Sequence, residues 1–281
     1  MKSSTELNRR EFLQRATLGV AALGTGLSGC ATLSARKKIP VGLELYSVRT
    51  ECKADFRGTL EKVSKIGYRA VEFAGYWGLS AKEVRQLLDD NGLITCSTHT
   101  QYADLQPAKL EATLEFNHII GNKLVICPYM TGKSKAEWLA KADEFNRLAE
   151  ALQKHGMRVG YHAHKNDFTK FDGESAWDIF FGHTRPEVIM QLDTSNCRDG
   201  GADPVEVLHQ YPGRARSIHI KPNGGGPEAV IGEDKINWPG VFEFCEGPGR
   251  TEWYVVEHET SKDAMATVKR TFEVLQQLGK V

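Results

Sequence analysis

Short apolar runs alternate with longer segments of helical periodicity from about residue 39 to the end of the chain. Eight runs have the length and the β-branched or aromatic content of strands: VGLELY, RAVEFA, LITCST, KLVICP, MRVGYHAH, VIMQLD, ARSIHI and WYVVEHE. The clearest helical segment follows Ser134, where Trp138, Ala142 and Phe145 fall on one face. Ser134 and Glu137 have the spacing of a capping box, which predicts the start of that helix.

Eight strands that alternate with helices in a chain of 281 residues predict a single-domain (β/α)8 TIM barrel over residues 39–281. A doubly wound sheet is the alternative, but no GxGxxG follows the first strand. An apolar fraction of 41% is sufficient for a large core. Basic and acidic residues balance at 36 each, so we expect no nucleic-acid partner.

The first thirty residues differ in kind from the rest. Arg9 and Arg10 precede an Ala/Leu/Gly-rich stretch that ends in Leu27-Ser28-Gly29-Cys30, a pattern that resembles a twin-arginine export signal with a lipobox. This predicts an export signal over residues 1–30, cleavage before Cys30, a linker over 31–38, and a periplasmic or cell-envelope location. Membrane contact would then occur only through a lipid on Cys30. An amphipathic N-terminal helix is the alternative.

The other five cysteines are scattered singly along the chain. Their number is odd and they form no CxxC pair, so neither a disulfide framework nor a cysteine metal site is expected. We predict that most of them are small buried apolar residues.

The last four strands end in side chains that can bind a metal or transfer a proton. The carboxyl ends of barrel strands open onto the active site, so these side chains are expected to meet. They are His162 and His164, then Asp193, then His219 and Lys221, and finally Glu257. Asp193 could instead cap the next helix. Nitrogen and carboxylate ligands together suit Mn, Zn, Co or Fe, so one divalent metal ion of this group is predicted.

The strand ends as a set resemble the xylose isomerase-like TIM barrels, the sugar phosphate isomerase/epimerase group. The matching segments are GLELYSVR, GYRAVEFAG, CSTHTQY, GYHAHKNDF, LDTSN, SIHIKP, IGEDKINWPGVF and YVVEHE. The resemblance implies that His162, Asp193, His219 and Glu257 hold the metal, with His164 as the competitor of His162. It also implies sugar contacts by Glu72 and His99, to which Asp167 and Lys221 are added as candidate substrate-binding residues.

One position departs from that family pattern. Epimerases of the group present a glutamate from the fifth strand, whereas this chain has a histidine there, as in YHxH relatives similar to inosose dehydratases and keto-glycoside-acting enzymes. The resemblance therefore implies a metal-dependent enzyme, an isomerase/epimerase or a lyase/hydratase, that acts next to the ketone of a keto-sugar or 3-keto-glycoside through an enediolate. The candidate proton-transfer groups are Glu257, His164 and Lys221.

Two other functions compete with this interpretation. One is a non-catalytic periplasmic sugar-binding lipoprotein. The other is a phosphodiesterase similar to abasic-site endonucleases, but Asn196 replaces the histidine expected three residues after Asp193, and no Asp-x-His follows His219. Export favours a free sugar or glycoside over a sugar phosphate, and a sugar dehydrogenase acting upstream would supply the ketone.

Overall fold

The computed structural model describes residues 38–281, so the predicted export signal, its lipobox and residues 31–37 of the linker lie outside the described residues. Eight parallel strands close into a barrel in which each strand pairs with its neighbours in sequence and the first pairs with the last. The strands are β1 (Val41–Glu44), β2 (Ala70–Phe73), β3 (Ile94–His99), β4 (Leu124–Cys127), β5 (Arg158–His162), β6 (Ile189–Asp193), β7 (Ser217–Ile220) and β8 (Trp253–Val256). The predicted (β/α)8 TIM barrel is confirmed.

Ten α-helices of the described residues lie around the barrel. They are α1 (Arg49–Ala54), α2 (Phe56–Ile66), α3 (Ala81–Asp90), α4 (Pro107–Ile119), α5 (Lys135–Gln153), α6 (Ala176–His183), α7 (Thr194–Asp199), α8 (Pro204–Gln210), α9 (Trp238–Glu246) and α10 (Ala264–Gln277). A small antiparallel hairpin, Lys170–Phe171 with Glu174–Ser175, lies between β5 and α6. Within residues 38–281, no helix combines the length and apolarity needed to cross a bilayer.

The predicted helix after Ser134 is α5, with one difference at its start. The Ser134 hydroxyl accepts a hydrogen bond from the Glu137 backbone N–H, at 3.2 Å, as a capping residue does. The Glu137 carboxylate accepts a hydrogen bond of 2.9 Å from the backbone N–H of Lys133, and not from the backbone N–H of Ser134. Only half of the predicted capping box is therefore formed.

The main core lies between the barrel and its helices. Around β5 it is aromatic, because Tyr161 packs against Trp177 and Phe180 of α6 and against Trp138 and Phe145 of α5. Successive residues of a strand point to opposite faces. Tyr161 therefore faces the helices, while His162, the next residue, faces the barrel interior.

The five cysteines of the described residues are buried and make no disulfide. Burial raises the pKa of the Cys52 and Cys127 thiols to about 12, so both stay protonated at neutral pH. The prediction that the cysteines serve as small buried residues is confirmed.

Gly160 lies in β5 where the neighbouring strands approach closely. A Cβ at this position would lie 2.6 Å from Cδ1 of Ile126 and 2.8 Å from the carbonyl oxygen of Ile189. We expect Gly160→Ala to lower the free energy of unfolding by about 1–3 kcal/mol in urea denaturation, because the strands must separate to admit the methyl group.

Gly182→Ala is the matched control, since a Cβ there would have no atom within 4 Å. Removing a glycine from helix α6 is expected to raise the free energy of unfolding by about 0.5–1 kcal/mol. Equal effects of the two substitutions would contradict the close approach of the strands at Gly160.

Candidate metal centre at the barrel mouth

Four side chains predicted from the strand ends converge at the mouth of the barrel. One donor atom from each of His162, Asp193, His219 and Glu257 lies within 4.8 Å of the others, and all four side chains are buried. His162 and Asp193 end β5 and β6, His219 lies in β7, and Glu257 directly follows β8. His164 is absent from every such cluster in the described part of the chain, which favours His162 as the fifth-strand ligand.

Asp193 divides its two oxygens between the fold and the site. Oδ1 accepts a hydrogen bond of 2.7 Å from the Asn196 backbone N–H and so caps α7. Oδ2 is buried and accepts no hydrogen bond, although Nζ of Lys221 lies 3.5 Å away. Burial raises the pKa of Asp193 to about 7, against the opposing effect of Lys221. Both expectations for Asp193 are thus compatible, because one oxygen caps the helix and the other remains for a cation.

Gln191 fixes the tautomer of His162. A carboxylate only accepts hydrogen bonds, so the Gln191 amide nitrogen must face Glu72, at 2.7 Å, and its carbonyl oxygen must face His162 Nδ1, at 3.0 Å. His162 Nδ1 therefore donates, and the lone pair is on Nε2, the atom 4.0 Å from Asp193 Oδ2. Burial, with the nearby His219 and His99, lowers the pKa of His162 well below its usual value, so the ring is neutral and able to coordinate.

His219 lies between two carboxylates. Nδ1 is 2.5 Å from Oε2 of Glu257 and Nε2 is 2.5 Å from Oε1 of Glu72. Burial would lower the pKa of His219, but the two carboxylates outweigh it and raise the pKa to about 10. Coordination therefore requires the loss of one proton, after which the carboxylate at the other nitrogen would hold the ring in place.

Glu72 is fully buried beneath this cluster, and both of its oxygens are engaged. Oε1 contacts His219 and lies 3.1 Å from His99 Nε2, while Oε2 accepts hydrogen bonds from Gln191 and from the Ser97 hydroxyl. Burial acts to raise its pKa, yet His99 and His219 hold that pKa well below the usual range. Both oxygens of Glu72 thus contact neighbouring side chains, and Glu72 positions His219. The predicted sugar contact of Glu72 stays a prediction.

Asp167 lies in the loop after β5, as the sequence indicates, and its side chain is buried. It is 1% exposed, Oδ1 accepts from the Tyr161 hydroxyl at 2.8 Å, and Oδ2 accepts from the His164 backbone N–H at 2.7 Å. Burial raises the pKa of this carboxyl to about 7. Asp167 therefore holds the loop after β5 to the barrel wall, and its predicted sugar contact stays a prediction. His99, by contrast, is partly exposed beside the cluster, and its predicted sugar contact stays a prediction.

The two remaining proton-transfer candidates border the cluster. The His164 ring lies 5.0 Å from that of His162, and burial lowers its pKa to about 4, so it is neutral at pH 7. Nζ of Lys221 lies 2.8 Å from Glu259 and 3.4 Å from Glu257. Burial would lower the pKa of Lys221, but Asp193, Glu257 and Glu259 raise it well above the usual value. Lys221 is therefore held as an ammonium group among three carboxylates, and its predicted role in proton transfer stays a prediction.

The sequence analysis assigned no role to Gln191 or to Glu44. Gln191 lies two residues before Asp193, so strand alternation alone would have placed it on the same face. Glu44 pairs in register with Glu72 at the ends of β1 and β2. It is fully buried, its Oε2 makes no hydrogen bond, and burial next to Glu72 raises its pKa well above the usual value. Glu44 is thus expected to be protonated.

The donor set fits a divalent transition metal. Two imidazoles and two carboxylates form a ligand set that suits zinc, manganese, cobalt or iron, and Asp193 Oδ2 has no hydrogen-bond donor. A second cluster that includes His219, formed with Glu44, Glu72 and His99, also has donor atoms within 4.8 Å of one another. Its Glu72 oxygens are already engaged by neighbouring side chains, so the set of His162, Asp193, His219 and Glu257 is the better candidate.

Metal content tests this assignment. We expect His219→Ala and Asp193→Ala each to weaken zinc binding by at least about 100-fold, because each removes one of four ligands from a buried site. Elemental analysis after dialysis and titration of the metal-free protein with zinc would measure the loss. His155→Ala, at an exposed histidine before β5, is the matched control. Equal metal affinity in all three variants would contradict the ligand set.

Comparison with known proteins gives a consistent family. The model of a family described as xylose isomerase-like TIM barrel matches residues 60–278.

Individual relatives agree with this family. The chain is 26% identical over 187 residues to an inosose dehydratase of Geobacillus kaustophilus (strain HTA426). That match covers 58% of this chain and 60% of the relative, which is less than two thirds of the relative's length. An inosose dehydratase of Clostridium botulinum (strain Alaska E43 / Type E3) is 22% identical over 246 residues, covering 73% of this chain and 82% of that protein. The crystal structure of a sugar phosphate isomerase/epimerase from Parabacteroides distasonis ATCC 8503 matches with a TM-score of 0.75 at 25% identity, covering 88% of this chain and 97% of the other.

Proposed function

Because this chain belongs to the xylose isomerase-like TIM barrel family, we propose that it is a divalent-metal-dependent enzyme that acts next to the ketone of a keto-sugar or 3-keto-glycoside. The observation that carries the proposal is the convergence of His162, Asp193, His219 and Glu257 at the barrel mouth. The names of the relatives, inosose dehydratase and sugar phosphate isomerase/epimerase, support a sugar-like substrate.

The groups at the mouth have complementary roles in such a reaction. A divalent ion would polarise the ketone and a neighbouring hydroxyl, which makes the adjacent C–H more acidic. Burial acts to raise the pKa of Glu257, but Lys221 and His219 hold that pKa well below its usual value, so Glu257 is an ionised carboxylate that can accept the proton. The ammonium group of Lys221 can donate a hydrogen bond to a substrate oxygen.

The asymmetry of these groups favours elimination or hydration over epimerisation. A symmetrical proton exchange across one carbon needs a base on each side of it. The fifth strand of this chain supplies no second carboxylate. It supplies His162, a neutral ring whose Nδ1 is hydrogen-bonded to Gln191. Glu257 can remove a proton, and we assign to Lys221 or His164 the donation of a proton to the departing oxygen. We therefore favour a lyase or hydratase, with an epimerase or isomerase as the alternative.

The electrostatics of the mouth favour an uncharged sugar. Lys221 is surrounded by Asp193, Glu257 and Glu259, which would repel a phosphate group placed beside them. The predicted export signal agrees, because it would place the protein where free sugars and glycosides are more accessible than sugar phosphates. A sugar dehydrogenase acting upstream would then supply the ketone.

Deuterium exchange tests the proposal directly. Zinc- or manganese-loaded protein is incubated with 3-keto-glucosides and with keto-inositols in heavy water, and the reaction is followed by NMR. We expect deuterium at the carbon next to the ketone, with loss of a substituent if the enzyme is a lyase. Glu257→Gln should slow exchange by about 10²–10⁴-fold, because it removes the base. Glu206→Gln, at an exposed position of α8, is the matched control.

Each outcome separates the competing functions. Exchange without loss of a substituent would indicate an epimerase or isomerase. Binding of the sugars with neither exchange nor turnover would support the non-catalytic binding protein and contradict an enzyme of this class. Cleavage of DNA containing abasic sites, with no reaction on any sugar, would support the phosphodiesterase.

A further inference from the structure

A cleft of about 690 Å³ lies at the end of the barrel opposite the metal centre. Its walls come from the end of α5 and from the loops that lead into β5, β6, β7 and β8. Small-molecule sites typically enclose about 300–1,000 Å³. The cleft thus has the size of a ligand site, on a face that the proposed chemistry does not use.

Two of the four arginines that line this cleft share one carboxylate. Arg158 donates to Oε1 of Glu252 at 3.0 Å, and Arg216 lies 3.3 Å from the same oxygen. Glu187, the acidic residue among the lining side chains, is 3.4 Å from Arg185, which lies outside the lining. The carboxylates of this face are therefore already paired, and the lining keeps an excess of positive charge.

Arg214, the third arginine, makes no ion pair within 4.0 Å of a carboxylate among residues 38–281. It is 8% exposed, and its guanidinium donates to the backbone carbonyls of Phe181, Arg185 and Val188 at 2.7, 2.9 and 3.0 Å. These carbonyl oxygens orient the guanidinium, and the more distant Glu187 carboxylate offsets part of its charge. Burial lowers the pKa of Arg214 to about 10, so it remains charged at neutral pH and adds to the potential of the cleft.

Arg250, the fourth, lies exposed in the loop before β8, and no ion pair is formed by its guanidinium in the described part of the chain. Its backbone has a φ of 51°, which is unusual for a residue other than glycine, and its carbonyl accepts a hydrogen bond of 3.3 Å from Arg216. The loop therefore holds a charged side chain at the cleft with its donors available. Met157, Pro186 and Pro212 supply an apolar part of the lining.

We propose that this cleft binds an organic phosphate, with the phosphate group facing Arg216 and Arg250 and the apolar part of the ligand against Met157 and the prolines. Guanidinium groups match phosphate oxygens in charge and in geometry. The phosphate can come from a free metabolite or from the headgroup of an anionic lipid. The second source suits the predicted lipid anchor, because β1 begins on this face at Val41, eleven residues after Cys30, which is a span of at most about 40 Å.

Calorimetric titration of the full-length chain with glycerol 3-phosphate, and with glycerol as the uncharged reference, tests the proposal. The protein carries Cys30→Ser, so that no lipid can be attached. We expect glycerol 3-phosphate to bind at low salt and glycerol not to bind. Arg250→Ala should weaken binding by about tenfold, because it removes a charge-assisted hydrogen bond to the phosphate. Arg69→Ala is the matched control, since Arg69 is exposed just before β2, on the same face but outside the cleft.

Sedimentation with phosphatidylglycerol vesicles, compared with phosphatidylcholine vesicles, distinguishes the two sources. Vesicle binding that depends on Arg250 would assign the cleft to a lipid headgroup, whereas binding of glycerol 3-phosphate alone would assign it to a free metabolite. The proposal is overturned if neither probe binds, or if Arg69→Ala weakens binding as much as Arg250→Ala does. Circular dichroism of each variant verifies its fold. The result does not depend on any reaction at the barrel mouth.

Discussion

Buried negative charge at the barrel mouth is the constraint around which this protein is built. Carboxylates removed from water destabilise a fold unless cations or hydrogen-bond donors compensate them. Here Glu72, Asp193 and Glu257 are all buried close to His219. Lys221 and a protonated His219 compensate much of this charge, but Asp193 keeps an oxygen without a donor and a pKa raised by burial to about 7. A divalent cation bound by His162, Asp193, His219 and Glu257 would satisfy that oxygen. The cation proposed for the reaction would therefore also stabilise the folded protein.

The residues beneath the candidate metal centre hold its side chains in place. Gln191 joins Glu72 of β2 to His162 of β5 through one amide group, and that amide sets the lone pair of His162 toward Asp193. Glu72 in turn holds His219 of β7. Supporting groups of this kind fix the orientation and basicity of metal ligands. Because the fifth strand supplies a neutral imidazole, Glu257 is left as the ionised carboxylate. On this difference rests our proposal of proton removal with loss of an oxygen substituent, in preference to a two-carboxylate exchange.

The barrel could be predicted from the sequence because buried parallel strands are short and apolar, and because helices with one apolar face separate them. The convergence of His162, Asp193, His219 and Glu257 could be predicted because the carboxyl ends of such strands share one edge. Gln191 was missed because an amide carries no metal or acid–base signal of its own. The positions of Glu72 and Asp167 depend on which neighbours saturate their oxygens, Gln191 and Ser97 in one case and Tyr161 in the other. Contacts between residues so far apart in the chain are not encoded in local spacing.

Anomalous diffraction is the most direct test of the metal centre. Crystals grown with zinc chloride would be measured on both sides of the zinc absorption edge, and an anomalous difference map would locate the ion. We expect one strong peak at the barrel mouth, with His162, Asp193, His219 and Glu257 as ligands at about 2.0–2.2 Å. A map without a peak among these four side chains, or with its peak held by Glu44, Glu72 and His99 instead, would contradict the account.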